Sequence, residues 1–163
     1  MKRFLCFLSI ILLFFLSACQ PADPDSVNFY YCRDPQQYQY FEEDSVICAE
    51  KRNLPGHRSD LQYMAGLYLA GPVGEGVISP FTKSTRLLSI RKDDVSILVE
   101  LSEHASTMTD SDFIVSCACF AMTCMDFVPC ETVTISSGSR SITMNHENIV
   151  LLDAVYQQHI NGG

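Results

Sequence analysis

Asp60-Leu61-Gln62-Tyr63-Met64-Ala65-Gly66-Leu67-Tyr68-Leu69-Ala70-Gly71-Pro72 is the stretch whose reading decides the fold. Leu61, Met64, Ala65, Leu67 and Tyr68 recur at the spacing of one helix face. Ser59, with Gln62 three residues on, makes a capping-box start. Gly71 offers a left-handed cap that a Cβ disfavours, and Pro72 forbids a further helical turn. The spacing predicts a helix over 60–70. A long loop follows, because residues 71–86 hold three Gly and two Pro.

Strands and a second helix flank this element. Val27–Cys32 and Val46–Glu50 are rich in aromatic and β-branched residues and read as short strands. Gln36–Asp44 between them is polar and Tyr-rich, a loop or hairpin arm. Downstream, Leu88 and Ile90 lead to the turn pair Asp93-Asp94, and Val95, Ile97, Val99 and Leu101 alternate after it. Period 2 with one apolar face predicts a hairpin covered on one side, with Leu98 implying some cover on the other. Phe113, Ile114, Cys117, Phe120, Ala121 and Cys124 form a stripe over 111–125, a second helix whose start suits Thr109 and Asp112. Val133 and Ile135 face inward in a strand over Thr132–Ser136, which Ser137-Gly138 ends. From Ser141 the pattern is ambiguous, and Ile149–Leu152 fits a strand or a short helix. The expected fold is a two-layer α+β domain, two helices on one face of a mixed or antiparallel sheet of about four to five strands.

The N-terminus sets the compartment. Lys2 and Arg3 precede an apolar run, Phe4–Leu16, broken only by Ser9 and too short for the roughly 20 residues of a membrane span. Leu16-Ser17-Ala18-Cys19 then resembles a bacterial lipoprotein signal, whose cysteine becomes the lipidated first residue. The expectation is a signal peptide over 1–18, lipidation of Cys19, and attachment to the bilayer at the outer face of the cytoplasmic membrane. Residues 19–26 read as a short Pro-containing tether. Removing Lys2 and Arg3 takes the formal charge from −8 to −10. So acidic a chain argues against nucleic acid, whose binding rests on Lys and Arg. It also argues against docking on anionic lipid through the protein surface.

Six strings, in order, carry a resemblance. They are Ile47-Cys48-Ala49-Glu50-Lys51-Arg52, Leu69-Ala70-Gly71-Pro72, Gly76-Val77-Ile78-Ser79-Pro80, Thr85-Arg86-Leu87-Leu88-Ser89-Ile90, Val99-Glu100-Leu101-Ser102 and Thr123-Cys124-Met125-Asp126-Phe127. With the element order, they resemble the GerM-type (GerMN) sporulation and germination domain of Gram-positive spore formers, over residues 28–138. The protein that names the family has two copies, and here there is one. The resemblance implies an envelope domain that packs against partner proteins or oligomerises, and it brings no catalytic residues. The GerMN-like domain is placed at 27–140, with 141–163 as a C-terminal extension. The loop residues Glu75, Ile78, Pro80, Phe81 and Lys83 are the expected partner surface.

Cys32, Cys48, Cys117, Cys119, Cys124 and Cys130 admit three readings: a disulfide framework, a metal site, or buried thiols serving as small hydrophobes. Paired Cys-x-x-Cys spacing is absent, which disfavours metal. Cys48, Cys124 and Cys130 stand where the resembled family has aliphatic residues, which favours buried thiols. Ser102-Glu103-His104 lines up a nucleophile, an acid and a base, but neighbours on an extended chain point apart. His146-Glu147 reads as a solvated pair. Glu42-Glu43-Asp44 and Asp93-Asp94 read as solvated turns, without a calcium-loop pattern. Tyr30, Tyr31, Tyr38, Tyr40 and Phe41 form an aromatic cluster, either core or an exposed binding face. No catalytic set, metal site or cofactor site assembles. The expected function is that of a non-catalytic envelope lipoprotein acting as an assembly module in sporulation, germination or the cell envelope. The alternatives are a lipoprotein binding a peptide, glycan or solute, and a small cell-wall hydrolase.

Overall fold

The computed structural model describes residues 25–34 and 46–150. Cys19, the Gln36–Asp44 arm and the residues after 150 lie outside them. The elements run β1 (Ser26–Arg33), β2 (Ile47–Asn53), α1 (Leu61–Ala70), β3 (Val77–Ile78), β4 (Leu87–Asp93) and β5 (Ser96–Leu101). A 3₁₀ turn (Glu103–Thr107), α2 (Asp110–Phe127), β6 (Thr132–Ser137) and β7 (Arg140–Met144) follow, and residues 146–150 are helical.

The α+β class holds, but the strands divide between two sheets. One has three strands in the order β2-β1-β3, the other four in the order β4-β5-β6-β7. β4-β5 and β6-β7 are antiparallel, whereas β5 and β6 are parallel, with α2 in the crossover between them. The single expected sheet fails for a local reason. The edge of β1 away from β2 is taken by β3 only at Cys32 and Arg33. Farther back that edge faces α2. The Asn28 N–H donates to Asp126 Oδ2 at 2.6 Å, and the Tyr30 N–H donates to Thr123 Oγ1 at 2.9 Å. Helix side chains thus satisfy strand amides that would otherwise seek another strand.

Local details differ from the expected ones. Asp60, not Ser59, caps α1, its Oδ1 accepting from the Tyr63 N–H at 2.9 Å. Gly71 has the expected positive φ of 100°, but its ψ of 175° is extended rather than left-handed helical. Asp93 pairs with Ser96, so the hairpin turn is Asp94-Val95, with Asp94 at φ 53°. A bulge between Leu87 and Ser89 turns Leu88 outward, where it is 59% exposed. The expected domain end at 140 falls on the first residue of β7, and Met144 and Ile149 beyond it are buried in the core.

The core is an aromatic stack. Val27, Phe29 and Tyr31 alternate on the buried face of β1. Tyr68 of α1 stacks on Tyr31 at 4.9 Å and on Phe120 of α2 at 4.7 Å, and Phe81 meets both Tyr68 and Phe120 edge-on. Both buried phenols are satisfied: the Tyr68 hydroxyl donates to the Tyr30 carbonyl and the Tyr31 hydroxyl to the Tyr68 carbonyl. Ile97, Val99, Leu101, Val133 and Ile135 cover the other side, as their period predicts. Because α2 touches β1, β6, β7 and α1, it is buried almost all round from Val115 to Ala121.

Candidate partner-binding groove

Strand periodicity puts Glu50 and Arg52 on the same face of β2. Arg52 Nε donates to Glu50 Oε1, and the guanidinium also donates to the Gly71 carbonyl at 2.8 Å and the Leu67 carbonyl at 3.4 Å. Its plane lies 4.6 Å over the Phe29 ring. Glu50 accepts from the backbone N–H groups of Val73 and Gly74, at 3.0 and 2.8 Å. Burial alone would raise the Glu50 pKa. The donors from Gly74, Arg52 and Val73 outweigh it and hold the carboxyl below its ordinary range. Arg52 therefore satisfies the C-terminal carbonyls of α1, while Glu50 fixes the chain that leaves it. Two separate strings of the sequence, Glu50-Lys51-Arg52 and Gly71-Pro72, meet at this clamp.

The clamped loop runs on to one wall of a groove of about 680 Å³. Ile78, Pro80 and Thr82 of the loop, Met108 and Asp112 around the head of α2, and Cys32 of β1 line it. Two bonds hold the loop there: Ser116 of α2 donates to the Pro80 carbonyl at 2.8 Å, and the Asp34 N–H donates to the Gly76 carbonyl at 3.0 Å. At the head of α2, Thr109 Oγ1 accepts from the Asp112 N–H and donates to Asp112 Oδ2.

The expected partner surface is only partly gathered here. Ile78, 41% exposed, and Pro80 line the groove. Phe81 also lines it, but is only 4% exposed, its ring turned into the aromatic stack. Glu75 and Lys83 are exposed but lie outside the lining. Of the aromatic cluster, Tyr31 is core and Tyr30 half-buried, while Tyr38, Tyr40 and Phe41 lie outside the described residues. The Ser102 string is not extended, because residues 103–107 form a 3₁₀ turn. Ser102 Oγ sits 3.4 Å from His104 Nδ1, but it also accepts the Arg86 N–H at 3.0 Å, which ties the end of β5 to the start of β4. His146 is exposed, at the start of the last described helical residues.

The six described cysteines are free thiols. Cys117, Cys119 and Cys124 are fully buried, and burial pushes the Cys117 thiol up to about 12 and Cys124 higher still. Among the described residues no group of three or more His, Cys, Asp or Glu is placed to hold a metal. No helix among them is long and apolar enough to cross a membrane.

Comparison with known proteins places this architecture. No protein-family model and no curated protein matches the chain. Among solved structures it is similar to a candidate lipoprotein from Clostridium perfringens, at 18% identity and TM-score 0.49, over 78% of this chain and 91% of that one. It is also similar to the tandem GerMN domains of the sporulation protein GerM from Bacillus subtilis, at 12% identity and TM-score 0.52. That match covers 76% of this chain and 43% of the tandem structure, the share that one of two copies would occupy. The fold is that of a GerMN-type domain.

Proposed function

We propose that this chain is a non-catalytic, lipid-anchored envelope protein whose GerMN-type domain binds a protein partner through the groove beside Ile78 and Pro80. The observation that carries the reading is the clamp. Glu50 and Arg52 fix the start of a Gly-rich loop whose later residues line the groove, a backbone arrangement that suits recognition of another surface. The GerMN-type fold supports the same reading by analogy alone, since a fold hosts many functions. Cys19 supplies the lipid anchor at the outer face of the membrane, and sporulation, germination or envelope assembly is the setting. A second reading, a small ligand-binding lipoprotein, is favoured by the groove's volume, which falls within the few hundred to about 1,000 Å³ of ligand sites.

Co-purification of the tagged full chain from membranes tests the proposal. Ile78→Asp should lose the captured protein at least tenfold while melting like the wild type, and Thr143→Lys, on the far sheet, should retain it. Equal capture by both variants contradicts the groove as the interface. Cys19→Ala should move the chain from the membrane to the soluble fraction, and its retention there contradicts the anchor.

A further inference from the structure

Three contacts repeat along the line where β1 meets α2. Asn28 meets Asp126, Tyr30 meets Thr123, and Cys32 meets Cys119 with the sulfurs 3.9 Å apart. Two residues along a strand advance about 6.6 Å, and three or four along a helix about 5 Å, so the pairs stay nearly in step. The two cysteines thus occupy the third position of a contact that the other two pairs already fix. Their environments are unequal. Cys32 is half-buried and lines the groove, while Cys119 is fully buried behind it.

We propose that Cys32 and Cys119 form a redox-active dithiol at the floor of the groove, which a low-molecular-weight disulfide oxidises to a bridge between β1 and α2. The Cys32 thiolate attacks one sulfur of the small disulfide, forming a mixed disulfide and releasing one small thiol. Cys119 gives up its proton and attacks the Cys32 sulfur, the second small thiol leaves, and the protein has lost two protons and two electrons. The groove admits the oxidant to Cys32, and Cys119 is reached only through Cys32. The thiol chemistry agrees: the bond from Cys119 lowers the Cys32 pKa, and that bond, together with burial, raises that of Cys119. Cys117 and Cys124 stay protonated in the interior. Closing the bridge shortens the sulfur separation from 3.9 Å to about 2 Å and draws Cys32 away from the groove toward α2. The redox state of this pair thereby sets the shape of the proposed binding surface.

The test treats the folded full chain with oxidised glutathione and maps the products by mass. The expected product carries a Cys32–Cys119 cross-linked peptide two hydrogens lighter than the two reduced peptides together, with Cys117 and Cys124 still alkylatable after unfolding. The bridged form should melt at a higher temperature, and a reductant should reverse the shift. Cys119→Ala, or Cys119→Ser should that pack better, halts at a glutathione adduct on Cys32. Cys32→Ser leaves Cys119 unmodified. A Cys32 adduct that persists in the wild type without closing overturns the proposal. So does a bridge from Cys32 to Cys48, or a Cys32–Cys119 bridge that forms only in denaturant. These outcomes are read without any partner, so they stand apart from the groove's role in binding.

Discussion

The two sheets of this domain are held by different means. In the four-stranded sheet, Ile97, Val99, Val133 and Ile135 face the core, while the opposite face carries hydroxyls paired across strands: Ser96 with Thr132 and Thr134 with Thr143, each at 2.9 Å. Backbone pairing and one apolar face account for it. The three-stranded sheet is short of strand partners, and side chains make up the difference. Asp126 and Thr123 take the β1 amides, Arg52 takes the helix-end carbonyls, and Glu50 takes the loop amides. Where the backbone pairs with itself, substitution at the surface is tolerated. Where side chains stand in for a strand, single polar residues carry structure.

Four substitutions break or sharpen that contrast. Phe120 joins the regions, so Phe120→Ala should lower stability by about 3–5 kcal/mol in denaturant melts. A loss under about 1 kcal/mol would mean the aromatic stack is not the shared core. Thr123→Val keeps the shape but leaves the Tyr30 N–H without its acceptor, and should cost about 1–3 kcal/mol. Gly71 stands at φ 100°, with the nearest foreign atom 4.0 Å from where a Cβ would lie, so space is not limiting. Gly71→Val should still cost about 1–2 kcal/mol through backbone strain, and a variant that melts like the wild type would show that the chain turns elsewhere. Thr134→Val, on the bare face of the larger sheet, should change stability by less than about 0.5 kcal/mol. Equal losses for Thr123→Val and Thr134→Val would erase the distinction between the sheets.

This contrast also explains what was legible in the sequence. Period and punctuation gave α1 with its Gly71-Pro72 stop, α2 with its Thr109 cap, and the inward pair Val133 and Ile135. β3 is two residues long and has no period to detect. β7 was obscured because it is five residues long and only Ile142 and Met144, both on its inner face, are apolar. The bulge at Leu88 shifts the β4 alternation by one, and the parallel pairing of β5 with β6 depends on how the α2 crossover packs, which neither strand's own residues encode. The clamp left one signal: Glu50 ends the expected strand and Arg52 stands two residues on, so extending that strand to Asn53 would have put the acid and the base on one face. No sequence pattern joins Cys32 to Cys119, because the contact depends on how β1 lies along α2.

Acid should loosen one region before the other. The Glu50 carboxyl is held below its ordinary value of about 4.5 in the folded protein. Its contribution is therefore complete above that value and is lost as pH falls through the lower, folded pKa. In denaturant melts, the stability gap between wild type and Glu50→Gln should be constant near neutrality and close in acid. A gap that widens on acidification would reverse the assigned sign.

Amide hydrogen exchange at Val73 and Gly74 tests the clamp most directly. Both N–H groups point at the Glu50 carboxylate from an exposed loop that offers them no strand partner. At neutral pH they should be protected in the wild type and exchange at near-loop rates in Glu50→Gln, while Ile97–Leu101 in β5 remain protected in both. Unchanged protection at Val73 and Gly74, or an equal loss throughout β5, would contradict the account.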